Sequence, residues 1–417
     1  MSLSKQPSVK TVHKVIVEQI ISALHESLMQ DRHADKVIER HMKSNKKWGS
    51  RDRKFFAESV YEIVRWYKKY LFLYRPEVAQ QDAVLKEKLS LSQIWLIWGS
   101  YYFDKHHEKP EWPELSQVEK NPQAKWAAAP RSVLQSLPCW LDELGEAEFG
   151  AETWNQILTE MNRPAEVYIR VNDLKSSREK LAEDLLKEDT ETRAVPEVSS
   201  ALCLTQRKNI FASALFKEGR FEVQDAASQM ISPLLDLKPG LRVVDACAGA
   251  GGKSLHIATL MKNKGKVISL DVFEWKLDEL KTRARRQRID IIETKWIENS
   301  KVIKRLHESA DRLLLDVPCS GLGVLKRNPD KKWKISKDEI KRLLELQAQI
   351  LNDYCKILKP GGLMVYATCS ILPEENDRQV KKFLALHPMF ELKQEMSLMP
   401  HKTGFDGFYA AVIERKE

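Results

Sequence analysis

Apolar residues recur at helical spacing through the first part of the chain. Over residues 11–28 they fall at Val12, Val15, Val17, Ile20, Ile21, Leu24 and Leu28, and over 51–73 at Phe55, Phe56, Val60, Ile63, Val64, Trp66 and Tyr67. Both runs predict amphipathic helices. Further helices are predicted over 82–104, 129–144 and 151–162. The stretch 107–130 holds four prolines and reads as a loop. A small all-α domain is therefore placed at 1–150.

The pattern then changes. Residues 165–171 (AEVYIRV) predict a strand and 177–186 a helix, which sets a small α+β linking subdomain at 151–222. From 223 to 417 short apolar runs alternate with helical stretches. Strands are predicted at 242–246, 266–270, 289–294, 312–315 and 363–368. Helices are predicted from Gly252, over 272–288, over 336–358 with Ser336 as N-cap and Glu339 completing a capping box, and over 374–386 after Pro373. Such alternation implies right-handed βαβ units and a mostly parallel, Rossmann-like sheet, so the fold class is α/β. Glycine usage agrees: only four of the sixteen glycines precede residue 160, whereas eight of the eleven tryptophans do.

Composition narrows the function classes. Lys+Arg number 68 against 59 Asp+Glu, for a net charge of +9, which favours a polyanionic partner. No apolar run reaches the roughly 18–20 residues that span a bilayer. The start, Met1 to Pro7, has no hydrophobic signal core, so no membrane role and a cytoplasmic location are expected. The six cysteines form no CxxC pair and the histidines do not cluster at metal-ligand spacing, so neither a disulfide framework nor a metal is expected.

In an open α/β sheet, ligands bind beyond the carboxyl ends of the strands, and three predicted strand ends carry unusual residues. The first is the turn Asp245-Ala-Cys-Ala-Gly-Ala-Gly-Gly-Lys-Ser254, containing Cys247, Ala248, Gly249, Ala250, Gly251, Gly252 and Lys253. It is neither a Walker A loop nor a clean GxGxxG. About twenty residues on, Asp271 ends the next strand, where a carboxylate can accept both ribose hydroxyls of an adenosine cofactor. The second is Leu313-Leu-Leu-Asp-Val-Pro-Cys-Ser-Gly-Leu-Gly323, which brings out Asp316 and Cys319 together. The third is Val365-Tyr-Ala-Thr-Cys-Ser370, with Cys369 just past the strand. A lone cysteine is usually a small buried hydrophobe; two at neighbouring strand ends beside a carboxylate point to chemistry.

These residues resemble the RsmB–Nop–Sun family of RNA cytosine-C5 methyltransferases. The 245–254 turn is similar to the family's cofactor loop. DVPCSGLGVLKRNPD, ATCSILPEEN, GFDGFYAAV, Arg170-Val-Asn172 and Phe221-Glu-Val-Gln-Asp-Ala-Ala-Ser228 are similar to its other signatures. The segment Ser50 to Tyr61 resembles the helical NusB-like domain of the bacterial branch. The resemblance implies S-adenosylmethionine as cofactor, held by Cys247 to Lys253, Asp271 and Asp316. It implies Cys369 as nucleophile, Cys319 in adduct breakdown and product release, and Asp316 at the N3/N4 edge of the base. RNA, and 16S ribosomal RNA first, is the implied substrate, with transfer RNA as the alternative; a monomer is expected. This chain has Gly249-Ala250 where family loops often have Ala-Pro. A gapless match puts Ile297, beside Glu298, where the family usually places an Asp near the adenine, so no residue is assigned there.

Two rival readings follow from the same residues. By analogy with DNA cytosine methyltransferases, Cys319 would be the nucleophile. Alternatively, the protein would be a non-catalytic RNA-binding assembly factor. Basic clusters at Arg283/Arg285/Arg286/Arg288, at Lys326/Arg327 with Lys331/Lys332/Lys334, and at Lys43/Lys46/Lys47/Arg51/Arg53/Lys54 are candidate phosphate contacts, with Trp333 as a stacking platform for a base.

Overall fold

The computed structural model describes residues 12–417; the reading of Met1 to Pro7 lies outside the described residues. The chain divides into two compact units. One takes the described chain up to Arg163 together with Leu325–Ile335, and the other Pro164–Val324 with Ser336–Glu417.

The first unit is helical. Its longer helices are Lys14–Met29, Ala34–Ser44, Ser50–Arg65, Leu91–His106, Cys139–Phe149 and Ala151–Met161. Ile20, Leu24, Phe56, Val60, Ile63 and Trp98 form its core, all fully buried. Ser90 caps Leu91–His106 through a reciprocal bond pair with Gln93. The helix Ala34–Ser44 escapes the sequence pattern because its buried face is short, chiefly Val37 and Ile38. Helix Ala151–Met161 belongs with this unit rather than with the subdomain that follows. Trp154 is buried and donates from its indole N–H to Asp142 at 2.8 Å, and Asp142 also accepts from Arg131.

The segment Leu325–Ile335 corrects an expectation. Trp333 is packed against the helical core, edge-on to Tyr67 at 5.6 Å, and its indole N–H donates to Val64 O at 2.7 Å. Lys326 is buried in an ion pair with Glu160, and Lys332 is buried against Asn162. Burial and the neighbouring Arg65 hold Lys332 well below the ordinary lysine range. These groups anchor the segment instead of offering a basic, stacking surface. Trp333→Ala is therefore expected to cost roughly 2–3 kcal/mol of stability in urea unfolding, through lost packing, with RNA affinity within about twofold of wild type. A large loss of affinity at unchanged stability would restore the stacking role.

The second unit holds two sheets. The smaller contains β1 (Tyr168–Val171), β2 (Thr192–Ala194), β3 (Ala201–Leu204) and β4 (Phe221–Val223), in the order β2-β3-β1-β4, all antiparallel. Strands of three residues carry too little periodicity to be read from sequence. The larger contains β5 (Arg242–Asp245), β6 (Lys266–Asp271), β7 (Ile292–Trp296), β8 (Ala310–Asp316), β9 (Leu358–Thr368), β10 (Phe390–Leu398) and β11 (Phe408–Arg415). Its order is β10-β11-β9-β8-β5-β6-β7, parallel from β9 to β7 and antiparallel at β11 and β10. The strand β10 carries Glu391, Lys393, Gln394 and Glu395 outward; the charges that hide it from a hydrophobic pattern also guard an open edge. Ser336 caps Lys337–Tyr354 as expected, accepting from Glu339 N at 3.2 Å. The capping box is half formed, because the Glu339 carboxylate pairs with Arg342 instead.

Chain direction reverses its course across the sheet at β5: β6 lies on one side and β8 on the other. In open α/β sheets a ligand crevice lies at such a switch point, which here is beyond the carboxyl ends of β5, β8 and β9. No helix among the described residues is long and apolar enough to cross a membrane.

Candidate active site

The three strand ends singled out in the sequence meet at this crevice. After β5 the chain turns through Cys247 to Gly251 into helix Gly252–Leu260. Gly249 and Gly251 both have positive φ, at 54° and 85°. A β-carbon on Gly251 would lie 2.4 Å from Leu280, whereas one on Gly249 would meet nothing within 4 Å. The turn thus needs glycine at 251 for packing and leaves open space at 249. Asp271, at the end of β6, accepts from Gly249 N and from Phe273 N, each at 2.8 Å, so its carboxylate fixes the turn's shape.

Two cations, Arg170 buried and Arg283 half-buried, hold the turn from behind. Arg170, on β1, donates to Gly252 O at 2.7 Å and to Gln224. Arg283 donates to Ala250 O at 2.7 Å and pairs with buried Glu222, which also takes Arg286 and Gln287. The turn's own N–H groups are held as well: Ala248 N donates to Leu270 O at 2.8 Å and Gly251 N to Ala248 O at 2.9 Å, so the turn is fixed from both sides. Burial, and repulsion from Arg283, push Arg170 down to about 9. Arg283 and Arg286 were expected among phosphate contacts; Arg283 is instead bonded to the turn, and Arg286 pairs with Glu222 and lies over the Phe216 ring.

Past β8 and β9 stand the two thiols. Cys319 Sγ and Cys369 Sγ lie 3.3 Å apart, both half-buried. Gly323 N donates to Cys369 O at 3.0 Å, and a β-carbon on Gly323 would clash with Gly407 O and Cys369 O, at 2.2 and 2.8 Å. Lys253, buried at the start of its helix, donates to Asp316 at 2.7 Å and lies over the Phe408 ring at 5.1 Å. Burial opposes the Lys253 charge, but Asp316 and the nearby Cys369 and Asp245 outweigh it and raise its pKa above the ordinary lysine value. Cys247 is different. Burial, with Asp245 and Asp316 adding to it, pushes its thiol far up, so it stays protonated and inert.

Asp245 is a site feature that sequence reading passed over. It is 1% exposed; one oxygen accepts from Ser254 at 2.6 Å and the other has no partner. Burial drives its pKa to about 7 against the pull of Ser254, with Asp316 adding to the rise. A carboxyl whose folded pKa is raised above its unfolded value contributes a stability loss as pH climbs between the two. The uncharged Asp245→Asn is thus expected to gain stability relative to wild type, by roughly 3 kcal/mol more at pH 8 than at pH 5. Denaturant melts at the two pH values check this. A pH-independent difference would mean an ordinary aspartate.

Beyond β7, Ile297 and Glu298 line a cavity of about 450 Å³ with Asn299, Ile303 and Tyr354. Ile297 N donates to Asp271 O at 2.9 Å. No group of three or more metal-ligating side chains occurs among the described residues.

The comparisons with known proteins agree with this arrangement. The family described as "16S rRNA methyltransferase RsmB/F" matches residues 232–414, and its ferredoxin-like domain matches 137–211. The chain is 34% identical over 299 residues to a Bacillus subtilis protein named "Probable ribosomal RNA small subunit methyltransferase B", covering 67% of each. It is 34% identical over 287 residues to ribosomal RNA small subunit methyltransferase B of Vibrio cholerae, covering 67% of this chain and 65% of that one. Among solved structures, PH0851 superposes with a TM-score of 0.79 at 25% identity, over 98% of this chain and 100% of that one. A methyltransferase homologue from Pyrococcus horikoshii gives 0.61 at 28% identity, over 69% and 97%. By the 34% identity to the Bacillus subtilis relative over two thirds of each chain and the family match over residues 232–414, the chain belongs to the RsmB/F family of rRNA methyltransferases.

Proposed function

We propose that the protein makes 5-methylcytosine in RNA, with small-subunit ribosomal RNA as substrate, through a covalent bond between Cys369 and carbon 6 of the base. The observation that carries this reading is the thiol pair, 3.3 Å apart, beside the Lys253–Asp316 ion pair. Amino-group methylation has no use for a nucleophilic thiol. Carbon 5 of cytosine is a poor nucleophile, and addition of a thiolate at carbon 6 converts the ring to an enamine with electron density on carbon 5. The rRNA assignment draws on the names of the relatives.

The residues fit an adenosine-type cofactor. Open space at Gly249, a buried Asp245 oxygen without a partner and the Asp271 carboxylate supply room and acceptors. S-adenosylmethionine, held by Cys247 to Lys253, Asp271 and Asp316, supplies a methyl group made electrophilic by its sulfonium.

This chain's own groups do the rest. Cys369 adds to carbon 6, and Asp316 accepts from or donates to the N3/N4 edge as charge changes there. Lys253 neutralises Asp316, and its positive charge favours a thiolate at Cys369. After carbon 5 is methylated, water or the Cys319 thiolate takes its proton, and the freed electron pair re-forms the 5,6 double bond as the carbon–sulfur bond breaks and Cys369 leaves as thiolate; Cys319, in contact with Cys369, assists that elimination. The target base has to leave its stack to meet a thiol in a crevice, which suits loops and single-stranded segments.

Incorporation of labelled methyl from S-adenosylmethionine into ribosomal RNA, with bisulfite mapping of RNA from cells lacking the protein, tests the proposal. One or more cytosines should lose protection from conversion in those cells. No change in ribosomal RNA but a change in transfer RNA would move the substrate; no change in either would sink the catalytic reading.

A further inference from the structure

We infer that Glu375 is the positioning residue of the thiol pair: one buried carboxylate bolts the Cys319 loop to the Cys369 loop. This rests on the roles proposed above for the two cysteines. Glu375 is 0% exposed and touches neither sulfur's reacting face; it acts on the residue that follows each cysteine. Its Oε1 accepts from Ser320 N at 2.8 Å and from Gln347 Nε2 at 3.0 Å. Its Oε2 accepts from the Ser320 hydroxyl at 2.5 Å and from the Ser370 hydroxyl. The two hydroxyls are themselves 3.1 Å apart.

The surrounding bonds leave this carboxylate little freedom. Gln347 also donates to Pro318 O at 3.0 Å, just before Cys319. The Tyr366 hydroxyl, from β9, donates to Glu375 O at 2.7 Å. Next in sequence, Asn376 donates to Ser370 O at 3.0 Å and accepts from the Thr368 hydroxyl. The segment Pro373–Glu375 therefore reaches back over both strand ends. Four donors converge on one carboxylate, so its lone pairs are filled and its charge is compensated by hydrogen bonds.

A glutamine cannot replace it. Ser320 N and Gln347 Nε2 are fixed donors and demand the amide oxygen on their side. The amide nitrogen then faces Ser320 and Ser370, whose hydroxyls already accept from Leu322 N at 3.3 Å and Leu372 N at 3.1 Å. At least one hydroxyl proton loses its acceptor, and the link between the loops opens.

The test compares wild type with Glu375→Gln, Ser320→Ala and Ser370→Ala, the serine variants each removing one donor and guarding against a glutamine variant that does not fold. Two readouts are taken. One is steady-state methylation. The other is the rate at which diamide, which takes up the two thiol hydrogens, joins Cys319 to Cys369, followed by peptide mass spectrometry. Glu375→Gln is expected to lower kcat about 50-fold and slow the cross-link about tenfold, with KM values and S-adenosylhomocysteine binding within about threefold, and each serine variant should fall between. Values of kcat and cross-linking rate within about threefold of wild type in the folded variants would overturn the inference. The cross-link reads the thiols alone, so it judges Glu375 even if the wild type methylates no cytosine, a result that would overturn the proposed function instead.

Discussion

Cys369→Ala is expected to lower methyl transfer about 10⁴-fold or more and to yield no covalent protein–RNA species. The reason is chemical. Without a sulfur at carbon 6 the ring offers no enamine, and the turn, Asp316 and Lys253 are left to act on an unactivated base. Cys319→Ala is expected to behave in the opposite way, accumulating a covalent complex that survives denaturing electrophoresis. Both cysteines are half-buried, with their sulfurs 3.3 Å apart, and nothing in their burial ranks one above the other. The likeness of Ala367-Thr-Cys-Ser370 to the family's signature is what assigns the nucleophile to Cys369. An adduct formed by Cys369→Ala but not by Cys319→Ala would reverse the two roles and favour the scheme of the DNA enzymes.

Lys253→Met carries the second large effect. The substitution keeps the length and apolar stem of the side chain and removes the ammonium that Asp316 accepts from at 2.7 Å. Asp316 is then an unpaired carboxylate beside the nucleophile, which works against a thiolate at Cys369. A loss of about 10²- to 10³-fold in kcat is expected, the size seen when one preorganised charge or donor is removed. The alkylation rate of Cys369 by iodoacetamide at neutral pH should fall with it. The two places proposed for Lys253, at the cofactor and at the thiol, separate in one measurement. S-adenosylhomocysteine affinity within about threefold of wild type assigns the ammonium to the thiol and base, while a drop as large as the loss in kcat assigns it to the cofactor.

Much of the site was legible in the sequence because it is local. The glycine turn, Asp316 with Cys319, and Cys369 each follow an apolar strand directly, and the end of a strand is where an open parallel sheet places its ligands. The long helices were legible for a related reason: their buried faces repeat over many residues. What escaped was short or charged. The strands β2 and β4 have three residues each, and β10 alternates charges along an open edge. Parts of two basic clusters were misjudged for a different reason. Sequence shows that Arg283, Lys326 and Lys332 are cationic, but not that Glu222, Glu160 and Asn162 wait for them across distances of tens to hundreds of residues.

The sequence by itself determined the α/β class, the family signatures and the positions of the two thiols at strand ends, since each is written in a few consecutive residues with fixed local geometry. Only the tertiary structure decided which groups act together. It set Lys253 on Asp316, tied the turn's carbonyls to Arg170 and Arg283, placed Trp333 inside the helical unit, and centred both cysteine loops on Glu375. The physical reason is that hydrogen bonds and ion pairs act over about 3 Å in space, whatever the separation along the chain.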